Sequence, residues 1–303
     1  MKFWPAFEVV RKAFDGIPLD RTSKFDIIVN WKTTKKRSFT EETYLRYLYD
    51  QGRCNIKSVE KGKKFRELVL CAGRRSGKSI FATWITADVF FRLCLDPPHA
   101  RWNLAPRTPV SLLFCSIDKD QMVLGMDEVR RFVVQTDPRV GSDFTAASIK
   151  DARTGVVIYG RSSYSNKPLD ISPLAFTVLE DFAHGNDFKG IYEAIKPLGV
   201  AHTPKDPNDL KRCIGPSESR IVSCFSPSIM EKGKDFAFTL FQSGFRPDNN
   251  DTLCVRIPAW EANPTLPHEW FAKHAERDPI MFKVEHGTEF VDKDGNSWKS
   301  LSN

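Results

Sequence analysis

Apolar positions along this chain fall into two kinds of run. Short continuous runs bounded by turn residues occupy 67–71, 109–115, 155–160, 174–179 and 219–225. Among them lie longer segments, 80–95 and 118–135, whose apolar residues return at helical spacing. Pro97 and Pro98 close the first segment, and Asp118 and Asp120 suit the positive N-terminal end of the second. Buried strands separated by helices are what a mainly parallel sheet covered on both faces requires, so the expected fold class is α/β. The first sixty or so residues predict an irregular lead-in with one clear helix, where Thr40, Glu41 and Glu42 cap and charge the start of the run 44–49. No internal repeat or low-complexity segment interrupts the pattern.

Composition narrows the class further. With 303 residues, 41% of them hydrophobic, the chain can bury a full core. It contains no stretch of about 18 apolar residues and begins with no apolar signal segment, so a soluble protein of a reducing intracellular compartment is expected. The cysteines (Cys54, Cys71, Cys94, Cys115, Cys213, Cys224, Cys254) are scattered and never spaced C-x-x-C. That argues against a disulfide framework or a zinc site and predicts small core residues instead. A net charge of +7 is compatible with a polyanionic partner. The basic clusters at 32–37 and 57–66 read as solvated surface before they read as binding sites.

The strongest chemical signal is Ala72-Gly73-Arg74-Arg75-Ser76-Gly77-Lys78-Ser79, set between a predicted strand and a predicted helix. It matches the phosphate-binding pattern G-x-x-x-x-G-K-[ST] except for Ala72 at the first position. Gly73 and Gly77 are expected to let backbone N–H groups close around phosphate oxygens, where a Cβ would obstruct. Lys78 is expected to reach the β- and γ-phosphates of ATP, and Ser79, at the helix start, to place its hydroxyl on Mg²⁺. The second signal is Glu180-Asp181 at the end of the run 174–179. ATP hydrolysis needs one carboxylate on the metal side and another to orient the attacking water. The usual order of such acids is Asp then Glu. The exchange moves each carboxylate by one C–C bond, which leaves a slow or purely nucleotide-binding protein as an alternative. His184 has no partner at ligand spacing and is expected to be structural or phosphate-sensing at best. Phe3, Trp4, Phe7 and Phe14 are expected in the core or on the adenine side.

Together these residues resemble the large subunit of a viral terminase, the motor that packages double-stranded DNA. Gly73 to Ser79 resembles that family's arginine-bearing P-loop, and Val178-Leu179-Glu180-Asp181-Phe182-Ala183-His184 its second motif with the acids exchanged. Ile221-Val222-Ser223-Cys224-Phe225-Ser226-Pro227 resembles the coupling motif. Trp260-Glu261-Ala262-Asn263-Pro264, Arg277-Asp278-Pro279, Phe282, Glu285 and Phe290-Val291-Asp292 resemble the segment that closes the ATPase domain. The resemblance implies an ASCE-type P-loop NTPase core, with the coupling strand beside the P-loop strand, and a small lid. It divides the chain into a lead-in (1–60), the ATPase core (61–228), and a lid with a linker (229–303). It implies Glu180 as the metal-side carboxylate, Asp181 as the water-orienting one, and Ser226 as the coupling residue that senses the γ-phosphate. Arg74 would act in cis on the γ-phosphate, or else sit in a salt bridge or solvent. The place of a trans-acting arginine holds only Lys167, with Arg161 further back, and that role stays open. The implied partners are duplex DNA, a portal protein, a small terminase subunit and further copies in a ring at the procapsid portal, in the cytoplasm of an infected cell. The family's nuclease domain does not fit within these residues, so no cutting activity is expected of them. A helicase-like translocase and a non-hydrolysing assembly module remain the rival readings.

Overall fold

The computed structural model describes residues 4–106, 108–141, 143–163, 174–184, 187–199, 202–230 and 235–297. Helix α1 (Pro5–Phe14) starts on a proline whose missing N–H costs nothing there, and it buries Ala6, Phe7, Val9, Val10, Ala13 and Phe14 along one stripe. Strands β1 (Phe25–Asn30) and β2 (Lys35–Phe39) form an antiparallel hairpin. Helix α2 (Glu41–Asp50) is closed by Thr40, whose hydroxyl accepts the Thr43 N–H at 3.3 Å. The chain continues through β3 (Glu67–Ala72), α3 (Lys78–Leu95), β4 (Val110–Ser116), α4 (Lys119–Thr136), β5 (Asp143–Thr145), β6 (Ser148–Lys150), β7 (Val156–Ser162) and β8 (Leu174–Glu180). It ends with α5 (Phe188–Ile195), β9 (Lys205–Asp206), β10 (Asp209–Cys213), β11 (Arg220–Phe225), α6 (Phe236–Ser243), β12 (Thr252–Ile257), α7 (Ala259–Ala262), α8 (His268–Arg277) and α9 (Pro279–Glu285).

The large sheet has eight strands in the order β12-β3-β11-β8-β4-β7-β6-β5. β12 runs parallel to β3 from Thr252↔Glu67 to Ile257↔Ala72, and β4 runs parallel to both β7 and β8. On the β7 side, β6 and β5 are antiparallel additions. The α/β class and the five apolar strands are as expected. The lead-in is not: it holds two helices and a hairpin rather than one helix. The hairpin escaped the periodicity because Lys35 to Ser38 are all exposed, so β2 shows no apolar alternation. β12 had no place in the expected fold, although Leu253, Cys254, Val255 and Ile257 make it a buried strand.

Two compact units make up the chain: Met1–Lys78 with Cys224–Asn303, and Ser79–Ser223. In the first, α1 packs against α2 and α6 against β3, around Phe7, Phe14, Leu45, Leu70, Phe241 and Phe290. Its core also holds a charged group, where Arg53 pairs with Glu261 at 2.9 Å and the Tyr44 hydroxyl donates to the same carboxylate at 3.1 Å. In the second, α4 covers β4 and β7, around Leu112, Phe114, Val129, Ile158 and Val178. All the cysteines but Cys213 are buried, and burial pushes the Cys54, Cys94 and Cys115 thiols up to about 12. Among the described residues no helix is long and apolar enough to cross a membrane.

Candidate functional site

Residues 72–78 and Ser226 belong to the first unit; Ser79, Glu180 and Asp181 belong to the second. The loop leaves β3 at Ala72 and enters α3 at Lys78, the strand–turn–helix context that the octet needs. Two of its residues take left-handed backbone, Arg75 at φ 62° and Gly77 at φ 93°. Changes of backbone hand within a tight turn bring successive N–H groups round to one side, the geometry of an anion-binding nest. Ser76 between them is fully buried, and its hydroxyl has no hydrogen-bond partner among the described residues. Lys78 is only 6% exposed, rare for a lysine outside a site that gives its charge a use. These features fit a phosphate-bearing ligand.

The two glycines are required for different reasons. At Gly77 the positive φ is the requirement. A Cβ there would lie 3.4 Å from the Trp4 indole and 3.7 Å from Phe7, ordinary contact. Gly73 has no unusual φ, but a Cβ would lie 2.6 Å from the Ala259 nitrogen and 2.7 Å from the His286 carbonyl oxygen. Its lack of a side chain admits the protein's own backbone, not a phosphate. The same segments anchor the start of the loop. Gly73 N–H donates to the Ile257 carbonyl at 3.1 Å and Arg74 N–H to the Glu285 carbonyl at 2.6 Å. Both donors are thereby engaged, so any phosphate ligand must draw its N–H bonds from later in the loop and the start of α3.

Arg74 adopts the salt bridge: its guanidinium lies 2.7 Å from Glu285 and remains 62% exposed. Ser226, 1% exposed, donates its hydroxyl to the Ala72 carbonyl at 2.9 Å, joining the end of β11 to the first loop residue. Trp4 and Phe7 pack beside Gly77, Phe14 lies in the core, and Phe3 lies outside the described residues. Burial lowers His286 to about 4, so its ring is neutral near pH 7.

In the second unit every residue of β8 is buried, and Glu180 ends it at 5% exposure. Ser116, its register partner at the end of β4, donates to the Glu180 carboxylate at 3.1 Å. Ser116 was missed in the sequence, where a serine closing an apolar run carries no motif. Asp181 has φ 58°, a left-handed position that aspartate tolerates better than most residues. It therefore breaks the alternation of the strand, and its carboxylate does not simply continue the face opposite Glu180. Ser79 is exposed at the start of α3. A serine hydroxyl and a carboxylate are hard oxygen donors of the kind Mg²⁺ takes one or two of, together with phosphate and water. Arg161 donates to the Gly160 carbonyl at 2.9 Å and lies over the Tyr159 ring; Lys167 is outside the described residues.

A mainly parallel sheet, with a glycine-bearing loop leading from β3 into a helix and an acidic pair at the end of β8, defines an α/β fold of the P-loop class. Within that class the fold is similar to that of solved large-terminase ATPase domains. The chain is similar to the ATPase domain of the Thermus phage P74-26 large terminase, with a TM-score of 0.55 and 18% identity over 76% of this chain and 90% of that one. It is also similar to the large terminase of bacteriophage HK97, with a TM-score of 0.52 and 13% identity over 75% of this chain and 47% of that one. The chain thus spans about half the length of the HK97 protein. Its sequence matches no protein-family model and no curated protein.

Proposed function

We propose that this chain is the ATPase motor domain of a viral terminase large subunit, hydrolysing ATP to move double-stranded DNA into a procapsid. The observation that carries the reading is the loop 72–78, whose left-handed Arg75 and Gly77, buried Ser76 hydroxyl unpartnered among the described residues, and buried Lys78 have a use in gripping phosphates. In this reading Lys78 and the N–H groups at the start of α3 hold the β- and γ-phosphates, and Arg74 reaches the γ-phosphate after leaving Glu285. Ser79 and Glu180 hold Mg²⁺, with Ser116 fixing the Glu180 carboxylate. Bound Mg²⁺ neutralises charge that develops on the phosphoryl oxygens. Asp181 orients the attacking water, and Ser226 senses the γ-phosphate and passes its loss to the lid that follows it in the chain. Residues 1–60 then form the lead-in, 61–228 the ATPase core, and 229–303 the lid and linker. The partners are duplex DNA, a portal protein, a small terminase subunit and copies of the chain in a ring on the capsid, in the host cytoplasm.

Steady-state Mg-ATP hydrolysis tests this, across protein concentrations, with and without duplex DNA. Lys78→Ala is expected to abolish turnover, and Asp181→Asn to lower it by about a hundredfold or more. Turnover per chain is expected to rise with concentration and with DNA. A second reading, a non-hydrolysing nucleotide-dependent assembly module, has the short Asp181 arm on a left-handed backbone in its favour. Nucleotide binding that depends on Lys78, with no turnover above the Lys78→Ala background under any of these conditions, would select it.

A further inference from the structure

The left-handed conformation of Arg75 carries a cost that the loop offsets only in part, through the Ser76 N–H that donates to the Gly73 carbonyl at 3.0 Å and closes the turn with Arg75 in its third position. For a residue with a Cβ, this region is disfavoured about tenfold or more against the right-handed one. It persists where surrounding structure holds it. From outside the loop the holding group is Asn263, just past α7, whose side-chain amide N–H donates to the Arg75 carbonyl at 2.9 Å. Its orientation is unambiguous, because the amide oxygen accepts both the Thr265 N–H at 3.1 Å and the Thr265 hydroxyl at 2.6 Å. The amide nitrogen therefore faces Arg75. Asn263 is in turn fixed by its own N–H, which donates to the Ala259 carbonyl at 2.9 Å, and Ala259 abuts Gly73.

We propose that Asn263 is a positioning residue for the phosphate loop: it holds Arg75 in left-handed backbone and so keeps residues 75–78 in the shape that receives a nucleotide. The inference rests on the phosphate-loop reading of these residues. Without the bond Arg75 spends part of its time in the ordinary region, and apparent affinity falls by the fraction of loops left competent.

Asn263→Asp isolates this role. An aspartate keeps both oxygen contacts to Thr265 and places an acceptor where Arg75 needs a donor. Titration of the full chain with a fluorescent ATP analogue and Mg²⁺ is expected to show about tenfold weaker binding for Asn263→Asp. Glycine adopts positive φ without the penalty, so in an Arg75→Gly background the same substitution is expected to cost less than about threefold. That coupling is the readout a merely structural asparagine would not move, and thermal unfolding of each variant accompanies it. Unchanged binding by Asn263→Asp overturns the inference and leaves the phosphate-loop reading standing. So does a loss of the same size in both backgrounds. Binding that Lys78→Ala leaves untouched overturns the phosphate-loop reading, and this inference with it.

Discussion

Gly73→Ala is the sharpest perturbation of the loop that the structure offers. The new methyl would sit 2.6 Å from the Ala259 nitrogen, 2.7 Å from the His286 oxygen and 2.9 Å from the Ala259 Cβ. The first two atoms are themselves hydrogen-bonded to each other at 2.8 Å. Comfortable contact lies nearer about 3.5 Å, so backbone on one side has to move by most of an ångström. Overpacking of this kind costs about 1–3 kcal/mol, and a strained or broken backbone hydrogen bond about 0.5–1.5 kcal/mol more. A sum of about 2–4 kcal/mol lowers the midpoint of thermal unfolding by roughly 3–6 °C in a chain of this length. Gly215→Ala is the control, since a Cβ there meets nothing within 4 Å and its backbone is not left-handed. It is expected to shift stability by less than about 0.5 kcal/mol. Because the displaced segments also hold Gly73 and Arg74, nucleotide affinity should fall together with stability. A Gly73→Ala protein that melts within about 1 °C of Gly215→Ala and binds nucleotide like the unaltered chain would refute the reasoning.

Three further outcomes are expected. Arg53→Met leaves Glu261 buried with only the Tyr44 hydroxyl, and should cost about 3–5 kcal/mol in denaturant unfolding at pH 7. Burial already raises the Glu261 carboxyl above its ordinary value, with Arg53 opposing the rise. A carboxyl with a folded value above its unfolded one destabilises the fold as pH climbs through that window, so the defect of Arg53→Met should shrink on acidification from pH 7 to 5. In the hairpin, Lys24, Lys32, Lys35, Lys36 and Arg37 make no ion pair among the described residues, and Arg37 lies over Phe39 with its guanidinium centre 4.9 Å from the ring. On the DNA-motor reading, alanine at Lys32, Lys35, Lys36 and Arg37 should flatten the salt dependence of duplex binding by about 0.9 in log–log slope for each phosphate no longer neutralised, and equal slopes would remove the hairpin from the DNA face. Ser116→Ala, which removes the serine hydrogen bond to the Glu180 carboxylate, should lower turnover by about tenfold while leaving nucleotide affinity within about twofold, read from separate kcat and binding measurements.

What could be read in advance was whatever is local along the chain. The runs 67–71 and 80–95 lie within a residue or two of β3 and α3 because a strand and a helix each announce themselves by period. Lys78, Glu180 and Asp181 could be singled out as candidates because the octet and the acidic pair are contiguous. The partners that shape the site are not contiguous with it. Glu285 is 211 residues from Arg74, Asn263 is 188 from Arg75, and Glu261 is 208 from Arg53. Nothing in a glutamate or an asparagine says which backbone it will meet after folding. The purpose of Gly73 was misjudged for the same reason: the atoms that exclude a Cβ there belong to residues 259 and 286. The hairpin was lost because β2 is polar on both faces.

The anchoring of the loop by residues 257–263 and 285–286 has a thermodynamic consequence that holds whatever the nucleotide does chemically. Coupling between two equilibria is reciprocal: if opening of the anchoring segment weakens nucleotide binding by some factor, bound nucleotide must lower the equilibrium constant for that opening by the same factor. The amides that report it are those already bonded across the joint, Gly73 to Ile257, Arg74 to Glu285 and Ala259 to His286. If the loop grips a nucleotide in this anchored shape, saturating nucleotide should slow hydrogen exchange at all three by about tenfold, matching the loss expected for Asn263→Asp. The N–H of Asn55, bonded to the Cys254 carbonyl on the same strand as Ile257 but away from the loop, should exchange at an unchanged rate. Protection at Asn55 equal to that at the joint would mean that nucleotide stabilises the whole unit and that the joint carries no coupling of its own. Protection confined to Gly77 and Lys78 would mean that the loop closes on phosphate without engaging the segment beyond β12.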